Sequence, residues 1–237
     1  SNATNTNGSI QSTVRANPTY GQSIVSYTGS GTSGNTVGHG LSSAPNLVII
    51  KMRSGTDSWV VVTRGAGITD YTGRHLNLDY AFNDQAYNVS AMSSSTFTLG
   101  NDAQSNANNS TYVAYCFHDV TGYSKFSSYS GTGGTHTVTT GFSPAFIMIK
   151  QSSASGENWK MYDNTRYPNT AERTLDANTN GVEGGGSAIK INYLSTGFQV
   201  VGTNADINTN NATYFYMAFA DKREYAYWLD QSGNNND

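Results

Sequence analysis

The feature that most restricts how this 237-residue chain can fold is that it resembles itself. Ser26-Tyr27-Thr28-Gly29-Ser30-Gly31 returns 102 residues later as Ser128-Tyr129-Ser130-Gly131-Thr132-Gly133. Leu47-Val48-Ile49-Ile50-Lys51 returns at an offset of 99 as Phe146-Ile147-Met148-Ile149-Lys150, and Trp59 at an offset of 100 as Trp159. Phe97 maps to Phe198, and Thr111-Tyr112-Val113-Ala114-Tyr115-Cys116-Phe117 maps to Thr213-Tyr214-Phe215-Tyr216-Met217-Ala218-Phe219. Shared composition explains one such block. Five in the same order indicate a duplicated unit of about 100 residues, the usual size of one domain. The expected organisation is a cleaved-tag remnant at 1–3, a first repeat at 4–120 and a second at 121–228.

Within each repeat the apolar runs are short and are cut by Gly, Asn, Ser and Pro, the pattern of strands joined by turns. No run keeps a helical period. Leu47–Met52 follows Pro45 and pairs naturally with Ser58–Val62 through the turn at 53–57, as 145–150 does with 158–162. The segments at 111–117 and 213–219 are apolar on both faces, which places each at a sheet centre. The Asn-rich stretches before them, 101–109 and 204–211, read as hairpin turns whose partner strands are 97–99 and 198–201. A helical turn somewhere in 68–91 is compatible with the pattern. The expected fold is all-β: two tandem antiparallel β-sandwich domains related by internal duplication.

Composition narrows the function. Charged residues make up 12% of the chain, with 13 Lys and Arg against 16 Asp and Glu, about half the usual density. No basic stripe suits a phosphate backbone, so nucleic acid is not an expected partner. The longest apolar run, 47–52, is far short of the ~20 residues that span a bilayer, so no membrane insertion is expected. The lone Cys116 cannot form an internal disulfide.

Catalysis is not expected. His39, His75, His118 and His136 lie in no nucleophile or metal-ligand motif, and Asp57 and Glu157 fall in turns. Asp176-Ala177-Asn178-Thr179-Asn180-Gly181 matches the opening of a calcium loop, with Asp176, Asn178 and Asn180 at alternate positions, but Ser187 stands where a bidentate Glu is required. An EF-hand is rejected, and calcium in a looser loop is the one cofactor left open. Sugar sites combine an aromatic face with amide, carboxylate and guanidinium groups. Tyr162, Asp163, Asn164, Arg166 and Tyr167, with Arg64 in the first repeat, carry that chemistry. Trp59 and Trp159 are expected to pack in cores.

Asn5-Thr6-Asn7-Gly8-Ser9-Ile10-Gln11-Ser12-Thr13-Val14-Arg15-Ala16-Asn17-Pro18, followed by Ser23-Ile24-Val25-Ser26-Tyr27-Thr28-Gly29, closely resembles a repeat of virion structural proteins from tailed bacteriophages. Val37-Gly38-His39-Gly40-Leu41, Gly122-Tyr123-Ser124-Lys125-Phe126 and Gly141-Phe142-Ser143-Pro144-Ala145-Phe146 resemble further parts of it. The resemblance implies a structural segment of an extracellular tail or fibre, with other virion tail proteins and host surface glycans as partners. It transfers no catalytic or ligand residue. A carbohydrate-binding module proper is the alternative, and a capsule-degrading enzyme the third reading. Homo-oligomerisation stays open, since fibres are commonly trimeric but no coiled-coil heptads are present. Residues 229–237, with Trp228, resemble the start of a linker or following module.

Overall fold

Short β-branched and aromatic runs separated by Gly and Asn favour strands. The computed structural model, which describes residues 2–221, contains little else. The first half carries β1 (Ala3–Asn5), β2 (Ser12–Asn17), β3 (Gln22–Thr28), β4 (Thr36–Gly38), β5 (Leu47–Met52), β6 (Val60–Thr63), β7 (Thr72–His75), β8 (Asn83–Asp84), β9 (Val89–Met92), β10 (Thr96–Leu99) and β11 (Thr111–Phe117). The second carries β12 (Ser124–Ser130), β13 (His136–Thr139), β14 (Pro144–Gln151), β15 (Lys160–Asp163), β16 (Thr170–Ala171), β17 (Arg173–Asp176), β18 (Gly184–Gly185), β19 (Lys190–Leu194), β20 (Gly197–Val201) and β21 (Thr213–Ala220).

These strands form four antiparallel sheets. Sheet I runs β1-β2-β3-β11-β5-β6-β7-β8 and sheet II runs β4-β10-β9. Sheet III runs β12-β21-β14-β15-β17-β18 and sheet IV runs β13-β20-β19-β16. Alternation along the strands sends Val25, Ile50, Tyr112 and Ala114 of sheet I towards Val37, Val89 and Phe97 of sheet II, closing one core. Ile147, Ile149, Tyr214 and Tyr216 of sheet III meet Ile191, Phe198 and Val200 of sheet IV in a second. The opposite faces of sheets I and III then pack on each other. Leu47, Ile49 and Val61 from one and Met148, Trp159, Phe215 and Met217 from the other form a third apolar cluster. The layers therefore run II, I, III, IV.

β11 does lie between β3 and β5, as its two-faced apolar pattern requires, but the expected hairpins with β10 and β20 do not form. Each Asn-rich connection instead crosses from the small sheet to the large one. The short α-helix Ala103–Asn106 lies in the first crossing, and within 68–91 a single helical turn closes where Val89 N donates to Gln85 O (2.9 Å).

Side chains hold these crossings in place of a ladder. Tyr112 Oη donates to Ala103 O (2.6 Å) and accepts from Ala107 N (2.8 Å), while Tyr214 Oη donates to Ala205 O (2.7 Å) and accepts from Thr209 N (2.7 Å). Asn106 accepts from Ser30 N (2.9 Å) and donates to Thr32 O (3.0 Å) and Gly100 O (2.9 Å). Asn208 accepts from Thr132 N (2.8 Å) and donates to Gly202 O (2.9 Å) and to Gly134 O. Asn109 and Asn211 take φ of 60° and 62°, which Asn tolerates well. Gly29 and Gly131 are required by proximity: a Cβ there would sit 2.4 Å from Ala107 O and 2.2 Å from Thr209 O.

The layer between sheets I and III also carries polar ties. Trp159 Nε1 donates to His75 O (3.1 Å), Phe82 N to Ser152 O (2.9 Å) and Gly156 N to Asp79 O (3.0 Å). At the edge of sheet III, Asp119 accepts from Phe126 N (2.8 Å) and pairs with Lys125 (2.5 Å), so a charged group occupies a backbone donor that another strand could otherwise use.

Lys150 is fully buried in this layer, its Nζ donating to Gln151 O (2.7 Å) and Asp79 O (3.2 Å). Burial lowers its pKa from 10.5 to about 8, against the pull of Asp79, Glu157 and Asp206. The folded state then binds fewer protons than the unfolded state from about pH 8 upward, so stability is expected to rise by about 1–2 kcal/mol between pH 8 and 9.5. Above pH 10 the buried Tyr27, Tyr129 and Tyr162, whose pKa values burial raises, reverse the trend. Urea midpoints across this range check the rise. Lys150→Met should flatten it, and an unchanged slope in that variant contradicts the assignment.

Candidate functional site

The turn after β15 does not form the sugar rim that its residue types suggest. Tyr162 pairs in register with Ile147 and points into the second core, fully buried, with its hydroxyl donating to Ile189 O (2.9 Å). It has no ring face to offer a ligand, which corrects the sequence expectation. Strand alternation is the cause: one residue's shift decides which face a side chain takes. Arg166 donates to Asp163 (2.6 Å) and to Glu183, and Tyr167 donates to Glu183 Oε2 (3.1 Å). The arginine and its neighbours hold Asp163 below the usual carboxylate range, despite the opposing effect of burial. Asn164 hydrogen-bonds through its backbone to Ala145 O (2.9 Å). Arg64 lies past β6 with its N–H on Asn46 O (2.8 Å), and no hydrogen bond or ion pair among the described residues joins it to this turn. Asp163, Arg166, Tyr167 and Glu183 therefore satisfy one another within a local brace.

The proposed calcium ligands have other duties. Asp176 Oδ1 accepts from Lys160 Nζ (2.8 Å), and its Oδ2 accepts from Asn158 Nδ2 (3.1 Å). Asn178 Oδ1 accepts from Trp159 N (2.9 Å), as Asn77 Oδ1 does from Trp59 N (2.8 Å) in the first half. Asn180 is exposed. The donor set does not fit a cation, because the ammonium of Lys160 already sits between Asp176 and Asp206 (3.2 Å). Among the described residues no group of three or more His, Cys, Asp or Glu side chains is placed to hold a metal ion.

Lys160 and these two carboxylates line a cleft of ≈ 260 Å³ with Thr174, Ile189 and Asn204. Glu157 stands beside Asp206, and its pKa is raised, first by burial and then by that neighbour. Asp206 also accepts from Asn158 N (2.7 Å). Two carboxylates close enough to interact can do acid–base work when one is free to meet a substrate. Here Asp206 is held by Lys160 and a backbone N–H, so the cluster anchors the 157–158 turn to the loop before β21. The corresponding place in the first half holds His75 and Gln104, with Nε2 and Oε1 2.9 Å apart. His39 is buried, bonded through Nε2 to Ser93 O (3.1 Å) and through Nδ1 to Leu41 N (3.1 Å); burial lowers its pKa and keeps it neutral.

A second concavity, of ≈ 500 Å³, lies over β2, β3 and β11 on the face of sheet I that meets sheet III, beside the third cluster. Register brings Arg15, Ile24 and Tyr115 into one row and Asn17, Gln22 and Phe117 into the next. Tyr115 stacks on Trp59, ring centroids 6.3 Å apart and 27° from parallel. Sequence reasoning missed this groove because its residues come from strands about 100 positions apart. The only sequence signal was the second apolar face of β11.

A family model described as a domain of unknown function, DUF7483, matches residues 1–223. No curated protein and no solved structure matches the chain.

Proposed function

We propose that this chain, which belongs to the DUF7483 family of domains of unknown function, is a rigid structural segment of an extracellular virion tail or fibre and not an enzyme. The observation that carries the reading is the third apolar cluster. Leu47, Ile49 and Val61 pack against Met148, Trp159 and Phe215, so the halves bear on each other through side chains as buried as those in their own cores. A segment braced in this way transmits load without bending at a linker. Duplication of an ancestral β-sandwich into repeats at 4–120 and 121–228 is part of the proposal. Its support is the matched pair of Tyr and Asn clasps at Tyr112 with Asn106 and Tyr214 with Asn208. The tail or fibre placement, with other tail proteins as partners, is supported by the resemblance of the 5–29 segment to virion repeats. The expected module start at 229–237 and the end of the second repeat lie outside the described residues.

Antibody raised against residues 4–221 is expected to decorate the tails or fibres of purified particles that carry the protein, seen by immunogold microscopy. Antigen confined to infected-cell lysate and absent from particles overturns the reading. A second reading, a saccharide-binding module, is favoured by the groove over Tyr115 and Ile24 and not by the turn at 162–167.

A further inference from the structure

We propose that the face of sheet I over β2, β3 and β11, beside its contact with sheet III, binds an acidic oligosaccharide, with Arg15 as the carboxylate-recognising group and Tyr115 with Ile24 as the floor. This rests on the saccharide-binding reading and names its ligand class.

The floor follows from register. Tyr115 lies opposite Ile24 on one side and Ile49 on the other, and Trp59 backs its ring. Ile24 is 49% exposed, although the position facing Met217 on sheet III, Phe126, is fully buried. The face thus stays open on sheet I where its counterpart is closed. An aromatic face beside an aliphatic side chain suits the C–H surface of a pyranose ring, and the side-chain amides of Asn17 and Gln22 on the adjoining row suit hydroxyls.

Charge selects the class. Arg15 is exposed, and among the described residues it makes no hydrogen bond or ion pair with a side chain. Lys51 shares this face through its register with Val113, and Arg53 reaches Ser26 Oγ on β3 (3.2 Å). None of the three cations is ion-paired among the described residues, in a chain whose net charge is -3. Arg15 on β2 and Lys51 on β5 stand three strand spacings apart, about 14 Å. That span suits several sugar units in a row. A guanidinium meets a carboxylate through two parallel hydrogen bonds, which a neutral sugar cannot reciprocate. A protein partner is disfavoured by area: a stable interface buries about 800 Å² per side, and the exposed apolar side chains lining this groove are Ile24 and Pro18.

Isothermal titration of the full chain with hexagalacturonate, maltohexaose and an oligothymidylate of similar length tests the proposal. Hexagalacturonate is expected to bind, more weakly at higher salt, and to lose at least tenfold in affinity with Arg15→Gln and with Ile24→Asp. Both positions are exposed, so unchanged melting points confirm that the variants fold. Equal binding of maltohexaose with the same variant sensitivity overturns the acidic class and leaves the saccharide reading standing. No binding of either sugar, or binding indifferent to both variants, overturns both. Tighter binding of oligothymidylate at the same residues overturns the proposal in favour of nucleic acid.

Discussion

Truncating Trp159 to alanine is expected to destabilise the protein by about 3–5 kcal/mol, the range for deleting a large aromatic from a packed interior. The side chain is fully buried, with Phe82 and Phe215 rings at 5.8 and 6.4 Å, and its indole N–H reaches the carbonyl of His75 in the other half. The deletion opens a void and takes the indole donor from that carbonyl, which keeps only the longer bond from Leu78 N (3.3 Å). Its location makes the effect diagnostic. Had Trp159 served only the second sandwich, amide protection in β5 and β6 would be untouched. With the cluster shared between sheets I and III, hydrogen exchange is expected to speed up in those strands as well as in β14 and β15. Trp59→Ala, at the half-buried counterpart, should cost less, about 1–2 kcal/mol.

Replacing Asn106 with alanine is expected to cost about 3 kcal/mol, and Asn208→Ala a similar amount. Each side chain serves three backbone groups where the chain crosses between sheets, and each is almost completely buried. Removing the amide leaves backbone donors and acceptors that water reaches poorly, at roughly 1–3 kcal/mol for each group left unpaired. Chemical denaturation measures both losses. A cost below 1 kcal/mol in either variant would mean that the crossings hold by other contacts. A large difference between the two would weaken the case that both halves descend from one unit.

Much of the architecture could be read from the residues. β-Branched and aromatic runs announced the strands, and apolar residues on both faces of 111–117 put that strand at a sheet centre, where the structure has it between β3 and β5. The error over β10 and β11 has a definite origin. Side-chain alternation says which face of a strand is buried, yet it does not say whether the next strand joins the same sheet or the facing one. The Asn-rich stretch at 101–109 suits a hairpin turn and a crossing equally well, and the deciding interactions are the Tyr112 hydroxyl and the Asn106 amide.

The third cluster was half visible. Phe146 and Met148 make β14 apolar on the face turned from the second core, and Lys150 continues that face as a charge. The lysine is accommodated by two carbonyl acceptors and a lowered pKa. Tyr162 was misplaced because Arg166 and Asp163 beside it drew attention to surface chemistry, when strand register had already turned its ring inward. The groove on sheet I depends on Arg15, Ile24 and Tyr115 becoming neighbours, and only cross-strand pairing supplies that.

Differential scanning calorimetry of the whole chain tests most directly whether the two halves form one four-layered body. A shared core predicts a single transition whose calorimetric enthalpy equals its van't Hoff enthalpy. Two resolved transitions, or a calorimetric enthalpy near twice the van't Hoff value, would mean that each half melts alone and that the packing of sheet I on sheet III does not couple them.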